Sequence, residues 1–269
     1  RATEEWLKDN DDYYADPNAC ILGHRPFPDG SLPQGTFAEY IAVPEIYANK
    51  IPESLVEKFP GSLWEPLGNG IRVASVIKSL PLAKGVVISG CGAQGLMLLW
   101  LLKHWMRLPN ITVTDVDYDR LILAKQFGAD FACQPKDLSD NDVDLWCEMS
   151  GAIPAYNESL KRVKKGGHII LFGLPKEDFE FQGTTFHQFI FEGHKKEVNG
   201  RNLIGVCGRL KADWEKSAEA VESFAKKVDL RRFYVDFGPL DNLIPLVNTG
   251  FIPPNGVKYI KAVFTRFMD

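Results

Sequence analysis

The sequence predicts an α/β fold built on a doubly wound parallel sheet, and three observations predict it. Short apolar runs alternate with helical stretches between Gly85 and Gly208, the pattern of strands buried on both faces. A glycine-rich turn joins the first run to the helix after it, and an acidic residue closes the second run. The bulk composition is that of a globular chain, 269 residues with 45% hydrophobic and 25% charged, enough for one large core or two modest ones.

The first third reads as loop and strand. Pro26, Pro28, Gly30, Pro33 and Gly35 punctuate a loop, "TFAEYIAV" alternates as a strand does, and "YANKIPESL" follows as a short strand and turn. "PLGNGIRVASVIKSL" has helical spacing through Ile71, Val73, Ala74, Ile77 and Leu80, with Gly68 and Gly70 marking the start of the helix. "VVISG" is the first buried strand, and "AQGLMLLWLLKHWM" is an apolar helix closed by Pro109. "ITVTD" is the second strand. Asp117 caps the start of the helix "YDRLILAKQFG", and Gly128 caps its end. "FACQ" and "DLWCEMSG" are the third and fourth strands. "PAYNESLKRVKKGG" is an amphipathic helix with lysines in its last turn. "HIILFG" and "NLIGVCG" complete six parallel strands. Beyond Asp213 the rhythm changes to a helix at 213–227, a short helix from Leu240 to Val247, the loop "GFIPPNG" and a last strand "YIKAVFTRF".

Charge and cysteine usage narrow the classes of partner. The formal net charge is -4, so no overall basic field draws the chain to nucleic acid or membrane. The longest apolar stretch, Leu96 to Leu102, is far short of a membrane span, and residues 1–20 lack the apolar run of a secretory leader. Cys20, Cys91, Cys133, Cys147 and Cys207 are odd in number and form no C-x-x-C pair. They read as reduced thiols in a cytoplasmic protein, most of them structural. His168 opens a strand and reads as structural, while His187 and His194 lie too far apart in sequence to make a ligand set with it.

The chemical signal is Gly90-Cys91-Gly92-Ala93-Gln94-Gly95, a G-x-G-x-x-G between a strand and a helix. The first glycine permits a tight turn, the second lets the backbone approach a pyrophosphate, and the third lets helix and strand pack closely. Free N–H groups at the helix start then bind the anion. A packing turn would look the same, so the motif alone is weak. Asp115 strengthens it. It ends the second strand, about 20 residues past Gly95, where a carboxylate accepts from ribose hydroxyls. It also repels a 2'-phosphate, which favours NAD over NADP. Arg120 stands either near the adenine side or in solvent. Ser150 and Gly151 end the fourth strand, and Gly173 and Leu174 follow the fifth. Their main chain borders the nicotinamide half if it serves more than ordinary turns.

The chain resembles the medium-chain dehydrogenase/reductase family, the zinc-dependent alcohol and polyol dehydrogenases. "GTFAEYIAVP", "WEPLGNG", "GCGAQG", "TDVDYDRLILAKQFGAD", "DLWCEMSGA" and "VKKGGHIILFGLP" follow the family's landmarks in order, from about Gly35 to the C-terminus. The resemblance implies a Rossmann-type NAD domain at 66–208 and a GroES-like, β-rich catalytic domain, partial here, made of 1–65 and a return segment at 209–269. It implies a homodimer or homotetramer and a small hydroxyl or carbonyl substrate. It also implies zinc, yet the family's early cysteine and Gly-His-Glu segment are not visible, nor is its four-cysteine loop. About 65 residues precede the junction, fewer than the family carries, as though much of the beginning of the catalytic domain were missing. Glu65 matches a position that supplies a zinc ligand in some relatives. Cys20 and His24 are its only improvised partners.

The leading functional expectation is an NAD-dependent oxidoreductase acting on a secondary hydroxyl of a polyol, amino alcohol or sugar derivative. The alternatives are a non-catalytic dinucleotide-binding remnant and a zinc-independent reductase, for which Tyr40 and Tyr47 are proton donors by chemistry alone. Catalytic zinc needs three protein ligands and an open position. Metal analysis of the purified chain is therefore expected to find clearly less than one zinc per molecule, with no NAD reduction across a polyol panel. One tightly held zinc with robust turnover would contradict this.

Overall fold

The computed structural model describes residues 48–56, 61–81, 84–139, 143–208, 211–224, 233–250 and 260–264, with Ala38 and residues 40–42. The chain divides into two compact units, Leu63–Phe224 and a second drawn from Arg1–Ser62 and Ala225–Asp269.

The larger unit is a seven-stranded sheet, β3-β2-β1-β4-β5-β9-β8. Its strands are β1 (Val86–Ser89), β2 (Ile111–Thr114), β3 (Phe131–Cys133), β4 (Val143–Glu148), β5 (Val163–Leu171), β8 (Lys195–Val198) and β9 (Arg201–Gly205). The first five and β9 are parallel. The expected six parallel strands are all present, but the sheet is mixed, because β8 runs antiparallel to β9 through a tight Asn199-Gly200 turn with both residues at positive φ. Asn and Gly tolerate that conformation, and such a pair specifies a hairpin.

β1 pairs with β2 on one side and β4 on the other, and all four of its residues are buried. A strand placed so must be covered on both faces. One cover is α3 (Ala93–His104), in which every residue from Gly95 to Leu102 is buried. A helix apolar all round must be enclosed, and α2 (Trp64–Lys78) and α7 (Lys211–Phe224) complete the layer. α2 packs on both α3 and α7. Gly68 and Gly70 do not start α2 but lie within it, buried. A Cβ at Gly70 would fall 2.7 Å from Leu101 Cδ1, so the glycine permits close helix contact at the cost of helix propensity. The opposite cover is aromatic. Tyr156 of α5 (Ile153–Arg162), Phe181, Phe186 and Phe189 pack with Trp146, Ile169, Leu171 and Leu203, several of them edge to face. Phe181 belongs to a small hairpin, β6 (Glu180–Phe181) with β7 (Thr184–Thr185), and Phe186 opens α6 (Phe186–Phe191).

α4 (Tyr118–Gln126) has its expected cap, since the Asp117 carboxylate accepts from Asp119 N. Gly128 follows it at φ 103. α5 ends at Arg162, earlier than its pattern suggests. Val163 pairs with Val143 instead, so sheet pairing outweighs the helix propensity of "VKK".

In the second unit, α1 (Glu53–Val56) replaces the turn expected there, and no strand forms at Tyr40–Ala42 or Ala48–Pro52. The remainder of "TFAEYIAV" lies outside the described residues, as does the loop "GFIPPNG". β10 (Tyr234–Asp236) pairs in parallel with β11 (Lys261–Val263), and the expected short helix appears as α8 (Leu243–Asn248) after a 3-10 turn. The described residues do not delineate a separate GroES-like domain.

Two carboxylates secure the amino ends of the strands. Asp144 accepts from Lys84 N at 2.7 Å and Gly85 N at 2.8 Å and pairs with Lys164. Asp130 accepts from Ile111 N at 2.8 Å and pairs with Lys103 at 2.9 Å. Burial pushes both carboxyls up, but their donors outweigh it and hold both below the usual range. A depressed folded-state value gives stability that is present above the unfolded value of 3.8 and lost as pH falls through the folded one. Urea midpoints are therefore expected to drop as wild type is taken below about pH 4, and to drop less in Asp144→Asn, which is already weaker at neutral pH. Identical pH curves for the two would contradict the clamp.

Candidate nucleotide site

The chain runs from β1 outward to β2 and β3, then returns to β4 on the other side of β1. The crevice above the carboxyl ends of β1 and β4 is thus the point where strand order reverses, where open α/β sheets bind ligands.

The three motif glycines meet different surroundings there. Gly90 sits at φ 98, and a Cβ on it would lie 2.9 Å from Ser150 Cβ. A Cβ on Gly95 would lie 1.8 Å from Gly90 O, so α3 can start against the turn only without a side chain. Gly92 meets nothing within 4 Å and caps α3 in extended conformation with no side-chain hydrogen bond. The first intrahelical bond runs from Leu96 N to Gly92 O at 3.0 Å. The N–H groups of Ala93, Gln94 and Gly95 precede it in the first turn of the helix, where the backbone N–H groups have no intrahelical acceptor.

Asp115 is nearly buried beside the turn. Its Oδ2 accepts from Cys91 N at 2.6 Å and its Oδ1 from Asp117 N at 2.8 Å. Each oxygen keeps a second lone pair. Arg120, half-exposed, lies 4.0 Å from Asp117, and its charge reaches the Cys91 thiol along with those of Asp115 and Asp117. Burial first, then Asp115, pushes that thiol up, so Cys91 is a packed, unreactive group. Cys133 and Cys147 are raised by burial too, and all four described cysteines are free. Val116 and Tyr118, beside Asp115, are 79% and 69% exposed. Nothing in the local sequence pattern marks this exposed pair, although it sits next to the acid.

On the β4 side, Ser150, Gly151, Gly173 and Leu174 come together. Gly151 has φ 72, and a Cβ on it would lie 2.2 Å from Leu174 O. One on Gly173 would lie 2.2 Å from Gly151 N. Beneath them is Glu148, which the sequence pattern marks only as part of a strand; it is buried, and its carboxylate accepts from Ser150 N at 2.9 Å and Gly151 N at 3.1 Å.

Other singled-out residues stand apart. His168, its pKa lowered by burial, lines a cavity of about 1000 Å³ at the opposite end of β4 and β5, with Lys164 and Trp105. That cavity lies at the wrong end of the strands for a ligand of the sheet. His187 Nε2 is 2.8 Å from Pro175 O, and His194 pairs with Glu192. Tyr40 is exposed in the second unit, and Tyr47, Cys20 and His24 lie outside the described residues. Glu65 accepts from Asn69 Nδ2 at 2.6 Å and Gln94 Nε2 at 3.4 Å. Among the described residues no group of three His, Cys, Asp or Glu side chains is placed to hold a metal. The described residues around Glu65 therefore do not fit a zinc site. No described helix is long and apolar enough to cross a membrane.

Residues 93–223 match the family of zinc-binding dehydrogenases. This stretch is a zinc-binding dehydrogenase domain that matches members of the medium-chain dehydrogenase/reductase family over part of the chain. It is 30% identical over 200 residues to L-threonine 3-dehydrogenase of Serratia proteamaculans (strain 568), a match covering 70% of this chain and 54% of that one. The chain thus spans about half the length of the curated relatives it matches. Its fold is shared with a short chain alcohol dehydrogenase from E. coli CFT073 in complex with NADH, at TM-score 0.66 and 20% identity, over 88% of this chain and 68% of that one. It is shared equally with a zinc-binding dehydrogenase from Sinorhizobium meliloti 1021 bound to NADP, again at TM-score 0.66, 20% identity, 88% and 68%.

The glycine geometry predicts a contrast. Gly95→Ala is expected to cost about 3 kcal/mol or more, since backbone must move, whereas Gly92→Ala stays within about 1 kcal/mol of wild type. Chemical denaturation of both checks this, and equal losses would contradict it.

Proposed function

We propose that this domain binds NAD across the crevice between β1 and β4 and serves an oxidoreductase acting on a secondary hydroxyl of a polyol, amino alcohol or sugar derivative. The observation that carries the reading is the division of labour in the glycine turn. Two glycines are closed against backbone or a side chain, while the middle one opens on free space beside three helix-start amides. Phosphate oxygens suit those amides and the helix dipole behind them. Asp115 is positioned for the ribose hydroxyls, with the exposed Val116 and Tyr118 as an apolar rest for the adenine. The Ser150–Gly151 and Gly173–Leu174 turns then border the nicotinamide half, on the other side of the crevice. When bound, the nicotinamide supplies the hydride acceptor or donor. The chain's own residues bind it, orient it and exclude water.

The substrate class rests on the relatives. Threonine, named in the curated relatives, is a secondary amino alcohol. The choice of NAD rests on charge, because fold neighbours hold either NADH or NADP. A carboxylate fixed by two backbone N–H groups cannot swing away from a 2'-phosphate, and Arg120 already lies beside Asp117.

NAD is expected to bind at least about tenfold more tightly than NADP. Asp115→Ser should narrow that gap, and Gly92→Ala should weaken NADH about tenfold or more by placing a methyl where the pyrophosphate passes. Calorimetry measures all three. An NADP preference, or a Gly92→Ala protein that binds NADH like wild type, would defeat the reading.

A further inference from the structure

Glu148 is a carboxylate where a buried parallel strand ordinarily carries an apolar residue. It ends β4 with 1% of its surface exposed, and its donors come from the end of β1 and from the turn after β4. Oε1 accepts from Ser150 N at 2.9 Å, from the Ser150 hydroxyl, and from Ser89 Oγ at 3.5 Å. Oε2 accepts from Gly151 N at 3.1 Å. Ser89 immediately precedes the glycine turn and is itself held by Trp146 Nε1 at 2.9 Å. Ser150 Oγ in turn accepts from Ala152 N at 3.0 Å, the residue that opens α5. The carboxylate also lies against a third segment, since a Cβ on Gly173 would stand 2.8 Å from Oε2.

A single acceptor-only group thus meets the start of the glycine turn, the turn after β4 and the turn after β5. Burial raises its pKa, and the Ser150, Gly151 and Ser89 donors oppose that rise, so the site spends hydrogen bonds to keep a carboxyl there. A neutral amide would not do the same work. One of its two ends is a donor and would face a backbone N–H. Topology places these turns over β4 and β5, across the crevice from Asp115.

We propose that Glu148 is a positioning residue for the nicotinamide half of the cofactor, holding the Ser150–Gly151 turn and, through it, the Gly173–Leu174 backbone at the spacing that half requires. This rests on the nucleotide reading above. It assigns Glu148 no contact with the cofactor.

The test compares NADH with AMP, which carries only the adenosine half, on the full 269-residue chain. Glu148→Gln is expected to weaken NADH about tenfold, the worth of a charge-assisted hydrogen bond, while AMP affinity stays within about twofold. Amide exchange over residues 148–152 should quicken in the same variant. A merely structural role would loosen both ligands together and leave the ratio unmoved. Ser150→Ala leaves the Glu148 carboxylate in place and removes the hydroxyl that donates to it, together with the oxygen that accepts from Ala152 N. It carries the same comparison if Glu148→Gln does not fold, and the same selective loss of NADH is expected. NADH binding like wild type, or parallel loss of NADH and AMP, overturns the proposal while wild-type binding keeps the nucleotide reading intact. A wild-type chain that binds neither ligand overturns the nucleotide reading, and this proposal with it.

Discussion

The carboxyl end of the sheet depends on how closely the start of α3 can approach the end of β1. With a side chain at Gly95 the helix would ride up off the Gly90 carbonyl, which a Cβ would meet at 1.8 Å. The displaced helix start would carry its free amides away from the crevice. Because that contact is closed, the Gly92 position can remain open. The rest follows from the same approach. Cys91 is drawn under the turn where Asp115 can take its N–H, and Gly90 lies against Ser150, so the turns after β1 and β4 share one floor.

Four carboxylates cap backbone N–H groups at the two ends of this sheet, and their surroundings differ by end. At the amino ends, Asp130 and Asp144 each meet a lysine and are held below the usual carboxylate range. They act as clamps, and a lysine across from each offsets the cost of burying charge. At the carboxyl ends, Asp115 and Glu148 hold loop amides instead, and Glu148 is raised by its burial. Ion pairs would secure those loops more strongly but would fill the crevice. Hydrogen bonds from backbone leave it open, as the proposed nucleotide site requires.

Much of this was legible in the sequence because buried parallel strands are written as apolar runs and the glycine motif demands a specific backbone. The six parallel strands, the caps at Asp117 and Gly128, and the grouping of Gly90, Gly92, Gly95 and Asp115 all follow from local pattern. The remainder depends on tertiary context. "KKEV" has no strand signature, and it becomes β8 because β9 offers an edge and Asn199-Gly200 a turn. Val163 looks helical until Val143 is beside it. Gly70 looks like a helix start until Leu101 is packed on it. Glu148 reads as an ordinary acid in a strand, and only three dimensions bring Ser89, Ser150 and Gly151 to it. Glu65 illustrates the reverse, a position with a chemical precedent whose oxygens here accept from Asn69 and Gln94.

We propose that the open glycine turn, and not the cavity of about 1000 Å³ at the other end of the strands, receives the nucleotide. Titrating isotopically labelled chain with NAD while following backbone amide resonances tests it most directly. Saturable shifts are expected at Ala93, Gln94 and Gly95, accompanied by Val116 and by Ser150 and Gly151 across the crevice. Shifts confined to Lys164, Gly167 and His168 at the amino ends, with the glycine turn unmoved, would contradict it.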